Sequence, residues 1–490
     1  MRKIAIFACL LCVGAWTPSA SAQDVPSTPD RIERVENGLR EPVAVRGEPV
    51  RTKRLVDRMR ELHVPGVSVA LIDGGRIAWS RAYGVADAHS GRPLTPDTVF
   101  QAASISKTVA AVATLKLAAA GQLDLDENVN RRLRTWRVPD SSLTAQHAVT
   151  VRALLSHTAG LSEYNLPGYG HAACPSLLQV LRGDKPAANA PVAVESTPGS
   201  RYGYSSLGYA VLEQYLDDAT GRPFDVLVRE TVLAPLGMRD SAVAASLPAA
   251  LAPRAASGHG LDGKVMAGRW RCHPEQAAAG LWTTAADLAR FAIALQDAVQ
   301  GRKDGFLAQR QAQELLTPVR NDYGLGFELD HEGRHAVFHH SGSNAGYKAL
   351  LFAYARTGQG AVVLTNGDGG WMLIEELMRS IAAEYGWEDY RQVELTAAPA
   401  NTALYGRFTG SFAVSNVVLR VERQGDRLYL AGPPLGPDPV ELLPAGDYDY
   451  FVREKNAILH FDANGSAPVQ TITFVDGRPR PGKRVGEAGK

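Results

Sequence analysis

Residues 101–121 constrain the fold more than any other stretch of this chain. Gln101-Ala102-Ala103-Ser104-Ile105-Ser106-Lys107-Thr108 opens a run to Ala120 built almost wholly of Ala, Val and Leu, and Gly121 follows it. Ala and Leu are strong helix formers, and a glycine just past the run suits a left-handed helix terminus. A helix that is apolar nearly all round has no stable place on a surface, so the stretch predicts a helix buried inside a domain. At its N-terminal end Ser104 and Lys107 stand three residues apart and share a face. Burial disfavours charge on an amine, and a neutral amine beside a hydroxyl can take its proton and leave a nucleophile. Alone, S-x-x-K is a weak signal, because four-residue patterns recur by chance, so its meaning rests on what accompanies it.

The 490 residues exceed one small core and predict more than one domain. A hydrophobic content of 45%, a charged content of 21% and a net charge of +1 describe an ordinary globular chain with no polyanionic partner. No basic stripe interleaved with aromatics is present, which argues against nucleic-acid binding. The N-terminus reads as a signal peptide over residues 1–22: Arg2 and Lys3, an apolar run from Ile4 to Trp16, then Pro18 and the small-residue site Ala20-Ser21-Ala22. That run is shorter than the roughly 20 residues a membrane span needs, and no other run is long enough. Cys12 follows Leu11 where a lipid-anchored cysteine would follow a small residue, so cleavage and export to the periplasm or medium are expected. Cys9 and Cys12 leave with the leader. Cys174 and Cys272 remain, able to form one disulfide in an oxidising compartment, though spacing alone does not decide it.

Residues 23 to about 50 are polar with scattered Pro and read as a flexible lead-in. A helix is predicted over 52–63, with Leu55, Met59 and Leu62 on one face. Val67–Ile72 and Arg76–Ser80, joined by Asp73-Gly74-Gly75, read as a hairpin. Residues 162–200, which carry Pro, Gly and His without a clear period, read as a loop flanking a pocket. Helices are predicted over 207–216 and 283–295, then strands over 323–329, 335–340, 347–354 and 361–365. A helix with Ile374, Leu377, Met378 and Ile381 on one face closes this part. The order predicts an α+β domain over 51–390: an antiparallel sheet built from both chain ends, flanked by helices, with a helical subdomain beside it. A linker over 391–403 leads to an all-β module over 404–490, a lipocalin-like barrel or a sandwich, whose short strands are divided by turns such as Gly425-Asp426 and Asn464-Gly465.

Two further clusters bear on chemistry. Tyr202-Gly203-Tyr204-Ser205-Ser206 precedes the helix near Leu207, and a phenol beside an amine can relay a proton. By itself Tyr204 is as well read as a half-buried aromatic at a helix start. His340-Ser341-Gly342-Ser343 ends a strand whose edge can pair with a bound acyl group, and Gly342 lacks the side chain that would block its approach. His340 could donate to a carboxylate or to the Tyr204 phenol; taken alone it is more simply a hydrogen-bonded strand histidine.

With Ser104-Ile105-Ser106-Lys107, Tyr204-Ser205-Ser206 and His340-Ser341-Gly342 in this order, the chain resembles the penicillin-recognising serine hydrolases. That group includes class C β-lactamases, D-alanyl-D-alanine carboxypeptidases, D-aminopeptidases and related esterases. Val64-Pro65-Gly66, Leu154–Leu161, Pro235-Leu236-Gly237-Met238 and Ala279–Asp287 are similar too, so the resemblance spans roughly residues 50–390. It implies that Ser104 is the acyl-accepting nucleophile, Lys107 its proton acceptor and Tyr204 the general acid/base that activates the hydrolytic water. His340 takes the place where lactamases of this group carry lysine, and the backbone N–H groups of Ser104 and Ser343 would form the oxyanion hole. Ser206 replaces the usual Asn, which shortens the reach to a substrate amide. The C-terminal module resembles the β-barrels appended to some hydrolases of the group.

His331-Glu332-Gly333-Arg334-His335, with His339 following, matches the zinc pattern H-E-x-x-H. Here it falls in a turn between alternating segments, and Gly333 in a helix would cost about 1 kcal/mol. No metal and no organic cofactor are therefore expected. The expected activity is cleavage of a peptide-like amide, with a small molecule or peptide as substrate, through an acyl-serine. A β-lactamase, then a carboxylesterase, are the alternatives, and a penicillin-binding sensor that acylates without turnover is the non-enzyme one.

Overall fold

Val67, Val69 and Leu71 belong to one hydrophobic core and Ala70 and Ile72 to another, as strand alternation requires of a sheet covered on both faces. The computed structural model describes residues 27–170, 173–302, 305–330, 336–435, 438–463 and 465–485. The predicted signal peptide and His331–His335 lie outside them. The sheet has seven strands: β1 (Gly66–Asp73), β2 (Arg76–Asp87), β3 (Arg92–Pro93), β4 (Glu328–Asp330), β5 (Val337–Asn344), β6 (Tyr347–Tyr354) and β7 (Gly360–Thr365). Their spatial order is β3-β2-β1-β7-β6-β5-β4, every neighbour antiparallel. The register Val69↔Val363 joins the two ends of the domain at the centre of the sheet.

Six longer helices matter here: α1 (Thr28–Glu36), α2 (Leu55–Glu61), α3 (Ser106–Ala119), α4 (Ser206–Thr220), α5 (Ala285–Val299) and α6 (Gly370–Tyr385). One face of the sheet packs on α1, α2 and α6 through residues such as Val35, Met59 and Leu377. Arg58 and Glu376 form a buried pair there, 2.7 Å apart. The other face packs on α5 and, beyond it, on α3 and α4. As its composition predicts, α3 is buried on every side from Ser106 to Leu115.

Three expectations need correction. The lead-in carries regular structure over its described part: Ser27 caps α1, and Val43–Val45 pairs in parallel with Val393–Leu395, inside the stretch read as a linker. Abundant charge hides sparse apolar positions there, yet Ile32 and Val35 on one face of α1, with Leu39 just beyond its end, are enough to bury. The second helix is shorter than 52–63. The strand expected over 323–329 is reduced to Glu328–Asp330, because Tyr323 and Gly324 bond back within a turn, to Arg320 and Phe327.

Residues 410–485 form a closed eight-stranded antiparallel barrel, which decides between barrel and sandwich. Its interior is filled by Phe412, Tyr450, Phe461, Ile472 and Phe474, and Phe408 stacks on Phe461 with ring centroids 4.2 Å apart. The barrel rests on the α6 side of the sheet, where Phe451 packs with Val43 and Val45, and Arg453 pairs with Glu48 at 2.9 Å. A cleft of about 410 Å³ between Trp371, Met372, Glu375 and the barrel residues Glu454–Asn456 marks the seam. No helix among the described residues is long and apolar enough to cross a membrane.

Candidate active site

Short strand pairing sets the first part of the site. Phe100–Gln101 pairs with Leu281–Thr283, and the Ala102 N–H donates to Leu281 O at 2.9 Å. The chain then tightens into a 3₁₀ turn, Ala103–Ile105, before α3 begins. Ala103 adopts φ 50, a left-handed conformation that costs an L residue energy and persists only where its surroundings impose it. From Phe100 to Leu115 only Ser104 is more than marginally exposed. The Ser106 hydroxyl is committed elsewhere, donating to Ala103 O at 2.6 Å and accepting from Leu281 N at 2.9 Å. Ser104 is therefore the available hydroxyl. Lys107, fully buried, donates from Nζ to Ser104 Oγ at 3.0 Å and to Ala278 O at 3.1 Å.

Tyr204 stands just before α4, whose cap Ser205 accepts from Gly208 N and donates to Ser162 O. Its ring centroid lies 4.9 Å from Lys107 Nζ. His157 packs on the Tyr204 ring at 4.3 Å, and its Nδ1 accepts from Ser205 N at 3.1 Å, which puts its proton on Nε2. Burial, and then the charge of Lys107, hold His157 well below its usual pKa, so the ring is neutral. Ser206 opens α4 and donates its backbone N–H to Glu163 Oε2 at 2.5 Å. Burial raises the Glu163 carboxyl, while that N–H and Lys107 pull it down.

The third part is β5. Its neighbour β4 pairs only with Val337–His339, so among the described residues the outer edge from His340 to Asn344 carries no further strand and lies beside the Ser104 turn. That edge is the kind of backbone a bound acyl group can pair with. Gly342 has a different role from the one expected: a Cβ there would meet Ala102 O at 2.2 Å and Ala103 Cβ at 3.3 Å. Its missing side chain lets the Ser104 turn sit against the strand. His340 also departs from expectation. It is buried, with Nδ1 2.7 Å from Ser341 O and Nε2 3.3 Å from the Tyr323 hydroxyl, so it reaches neither a carboxylate nor Tyr204. Burial, reinforced by Lys107, lowers its pKa to about 3 and keeps it neutral. Ser343 is exposed at the strand edge, and Asn344 donates to Gln101 Oε1 at 2.8 Å, tying β5 to the strand that leads into the Ser104 turn.

Several contributors carry no local signature: the Ala278 carbonyl, Glu163, Tyr323 and Glu275. Glu275 is buried with neither carboxylate oxygen hydrogen-bonded, and burial raises its pKa to about 7 against the opposing charge of Lys107. His157 falls in the Leu154–Leu161 stretch whose resemblance was noted, and is the one missed residue the sequence could have offered. Cys174 and Cys272 are joined in a disulfide with Cα atoms 6.0 Å apart, and Cys272 also bridges Tyr169 in the loop beside the site. Of the histidine cluster suggestive of zinc, His331 and His335 lie outside the described residues; His339 Nδ1 lies 3.6 Å from Glu328 Oε2.

Residues 52–382 match the family model described as Beta-lactamase. The chain is 23% identical over 463 residues to Penicillin-binding protein 4* of Bacillus subtilis (strain 168), covering 86% of this chain and 96% of that protein. Over 199 residues it is 35% identical to Esterase EstB of Burkholderia gladioli, covering 39% of this chain and 50% of the esterase. Among solved structures, the octameric penicillin-binding protein homologue from Pyrococcus abyssi superposes with a TM-score of 0.60 at 20% identity, covering 88% of this chain and 98% of that one. At that identity the superposition speaks for the fold.

Proposed function

The chain belongs to the Beta-lactamase family, and on that premise we propose that it is an exported serine hydrolase that opens a peptide-like amide bond through an acyl-enzyme on Ser104. The observation that carries this reading is the 3.0 Å contact from Lys107 Nζ to Ser104 Oγ, with the amine buried and steered by Ala278 O. Ser104 Oγ attacks the substrate carbonyl while the Lys107 amine takes its proton. The negative charge that develops on the carbonyl oxygen is received by the backbone N–H groups of Ser104 and Ser343, a kind of donor whose loss typically costs about 3–4 kcal/mol. Collapse of this intermediate breaks the C–N bond, and Tyr204 passes a proton to the leaving amine. Water, deprotonated through Tyr204, then attacks the acyl carbonyl, and Ser104 recovers its proton as the acid leaves.

His340 supports an amide over a β-lactam. A neutral ring turned to Ser341 O and Tyr323 offers no cation to a substrate carboxylate at this strand. Ser206, whose backbone is engaged by Glu163, offers a hydroxyl where an amide would grip a lactam side chain. A carboxylesterase is the second reading, favoured by the match to Esterase EstB.

A side-by-side assay tests the choice, with a D-Ala-D-Ala peptide, an L-peptide, a chromogenic cephalosporin and a nitrophenyl ester. Hydrolysis of the D-peptide, abolished in Ser104→Ala, is the expected result. Turnover of the cephalosporin or the ester alone overturns the amide reading, and a burst of penicillin acylation without turnover overturns the enzymatic one.

A further inference from the structure

Glu213 stands on a face of α4 where an apolar side chain would be far easier to bury. It is 1% exposed, among Leu212, Tyr215 and Leu216. A buried carboxyl is destabilising unless its oxygens are satisfied, and retention of one in a core helix points to a job done there. Both Glu213 oxygens are satisfied by one element. Oε2 accepts the Ala277 N–H at 2.9 Å, and Oε1 accepts from Gln276 Nε2 at 3.1 Å. Ala277 belongs to the short helix Gln276–Ala279, which is packed between α3 and α4. The next residue, Ala278, supplies the carbonyl that holds Lys107 Nζ at 3.1 Å.

We propose that Glu213 is a positioning residue for the acyl-transfer chemistry: it clamps Gln276–Ala279 in the register that presents the Ala278 carbonyl to the Lys107 amine. The helix that carries this clamp begins at Ser206, two residues after Tyr204. One rigid rod thus sets the tyrosine at its start and, two turns on, the acceptor of the lysine. A four-residue helix has too few internal hydrogen bonds to hold its own position, so the anchor must come from outside it. The charged groups that face Glu213 are Asp217 on its own helix and Glu275 at the start of the clamped one; both add to burial in raising the Glu213 carboxyl, while the Ala277 N–H and Gln276 oppose them.

The inference rests on the acyl-serine reading, and one experiment on the full chain separates the two. Wild type, Glu213→Leu, Gln276→Ala and the conservative Glu213→Gln are labelled with a fluorophosphonate probe, with the modified residue located by mass spectrometry. Turnover of nitrophenyl acetate and its pH profile are followed in parallel. In Glu213→Leu, which removes both acceptors at similar volume, labelling at Ser104 and kcat should fall by roughly 10²-fold, the scale of misplacing a reacting group by about 1 Å, with KM nearly unchanged and the acid limb of the profile displaced. Glu213→Gln keeps an acceptor for the Ala277 N–H and can donate its amide to the Gln276 oxygen, so it should retain most of the rate. Gln276→Ala, which removes one of the two contacts at a partly exposed position, should lose several-fold. If wild type is not labelled at Ser104, the acyl-serine reading falls and takes the inference with it. Labelled wild type with equally reactive Glu213→Leu overturns the inference alone. So does a loss that tracks the folded fraction with an unmoved pH profile. Should Glu213→Leu not fold, an unaltered labelling rate in Gln276→Ala overturns it too.

Discussion

Gly342 and Ala102 approach so closely that a Cβ on the glycine would stand 2.2 Å from the Ala102 carbonyl oxygen. One residue on from Ala102, the chain takes the φ 50 turn that lifts Ser104 into reach. The strand and the Ser104 turn therefore pack as one unit.

Gly342→Ala should displace that unit, because the colliding atom is backbone and cannot rotate away. Overpacking of this kind costs about 1–3 kcal/mol. Moving Ser104 relative to Lys107 by about 1 Å would lower kcat by roughly 10²-fold. Urea denaturation reads the first effect and acylation kinetics the second. A variant with wild-type acylation would show that the close approach is incidental to the site.

His340→Lys tests whether the group found in lactamases can simply be put back. The native ring is buried and neutral, its pKa of about 3 set by burial and then by the charge of Lys107. An ammonium there would lose its solvation and stand beside the buried Lys107 amine, so that charging both groups at once is strongly disfavoured. The expected outcome is a loss of at least about tenfold in all acylation, with no gain toward a chromogenic cephalosporin. Efficient cephalosporin turnover by this variant would mean that the strand position, and not its surroundings, governs substrate choice.

What the sequence reveals of this molecule is what is local. The hairpin of β1 and β2 shows in its apolar run and Asp73-Gly74-Gly75, and the burial of α3 shows in its uniform composition. Ser104 and Lys107 can be paired because three residues of separation put them together in almost any helical geometry. The Ala278 carbonyl cannot be foreseen: it is a backbone atom 171 positions from Lys107, contributed by an alanine that any pattern passes over. Tyr323 meets His340 through a turn whose residues alternate as a strand would. The lead-in misleads for a similar reason: its order comes from partners at Glu384 and Val393, more than 340 residues away.

Reduction of the Cys174–Cys272 bond should affect binding more than chemistry. The bond closes a segment of 98 residues, and Cys272 exchanges backbone hydrogen bonds with Tyr169 in the loop beside the site. Chain-entropy estimates for a loop of this length are about 4–5 kcal/mol, and measured values run to roughly 2–4. Dithiothreitol should therefore lower the urea midpoint and raise KM, while kcat at low temperature stays near that of the oxidised protein. Identical KM in both states would separate this loop from substrate binding.

Glu275 gives a pH dependence whose sign is fixed by linkage. In the folded chain burial keeps its proton up to about 7, whereas an ordinary glutamate releases it near 4.5. Between those values the native state binds more protons than the unfolded one, so this contribution to stability is complete below 4.5 and is lost as pH rises toward 7. The slope is at most about 1.4 kcal/mol per pH unit. Glu275→Gln removes the titration while keeping the shape. His273, lowered to about 4, and His340, lowered to about 3, act with the opposite sign but are present in both proteins and cancel in the difference. Stability of wild type relative to the variant, measured by urea denaturation from pH 4.5 to 8, should fall with rising pH and level off above 7. Parallel curves would show that the Glu275 carboxyl ionises as freely in the fold as in the unfolded chain, and that water reaches it despite its burial.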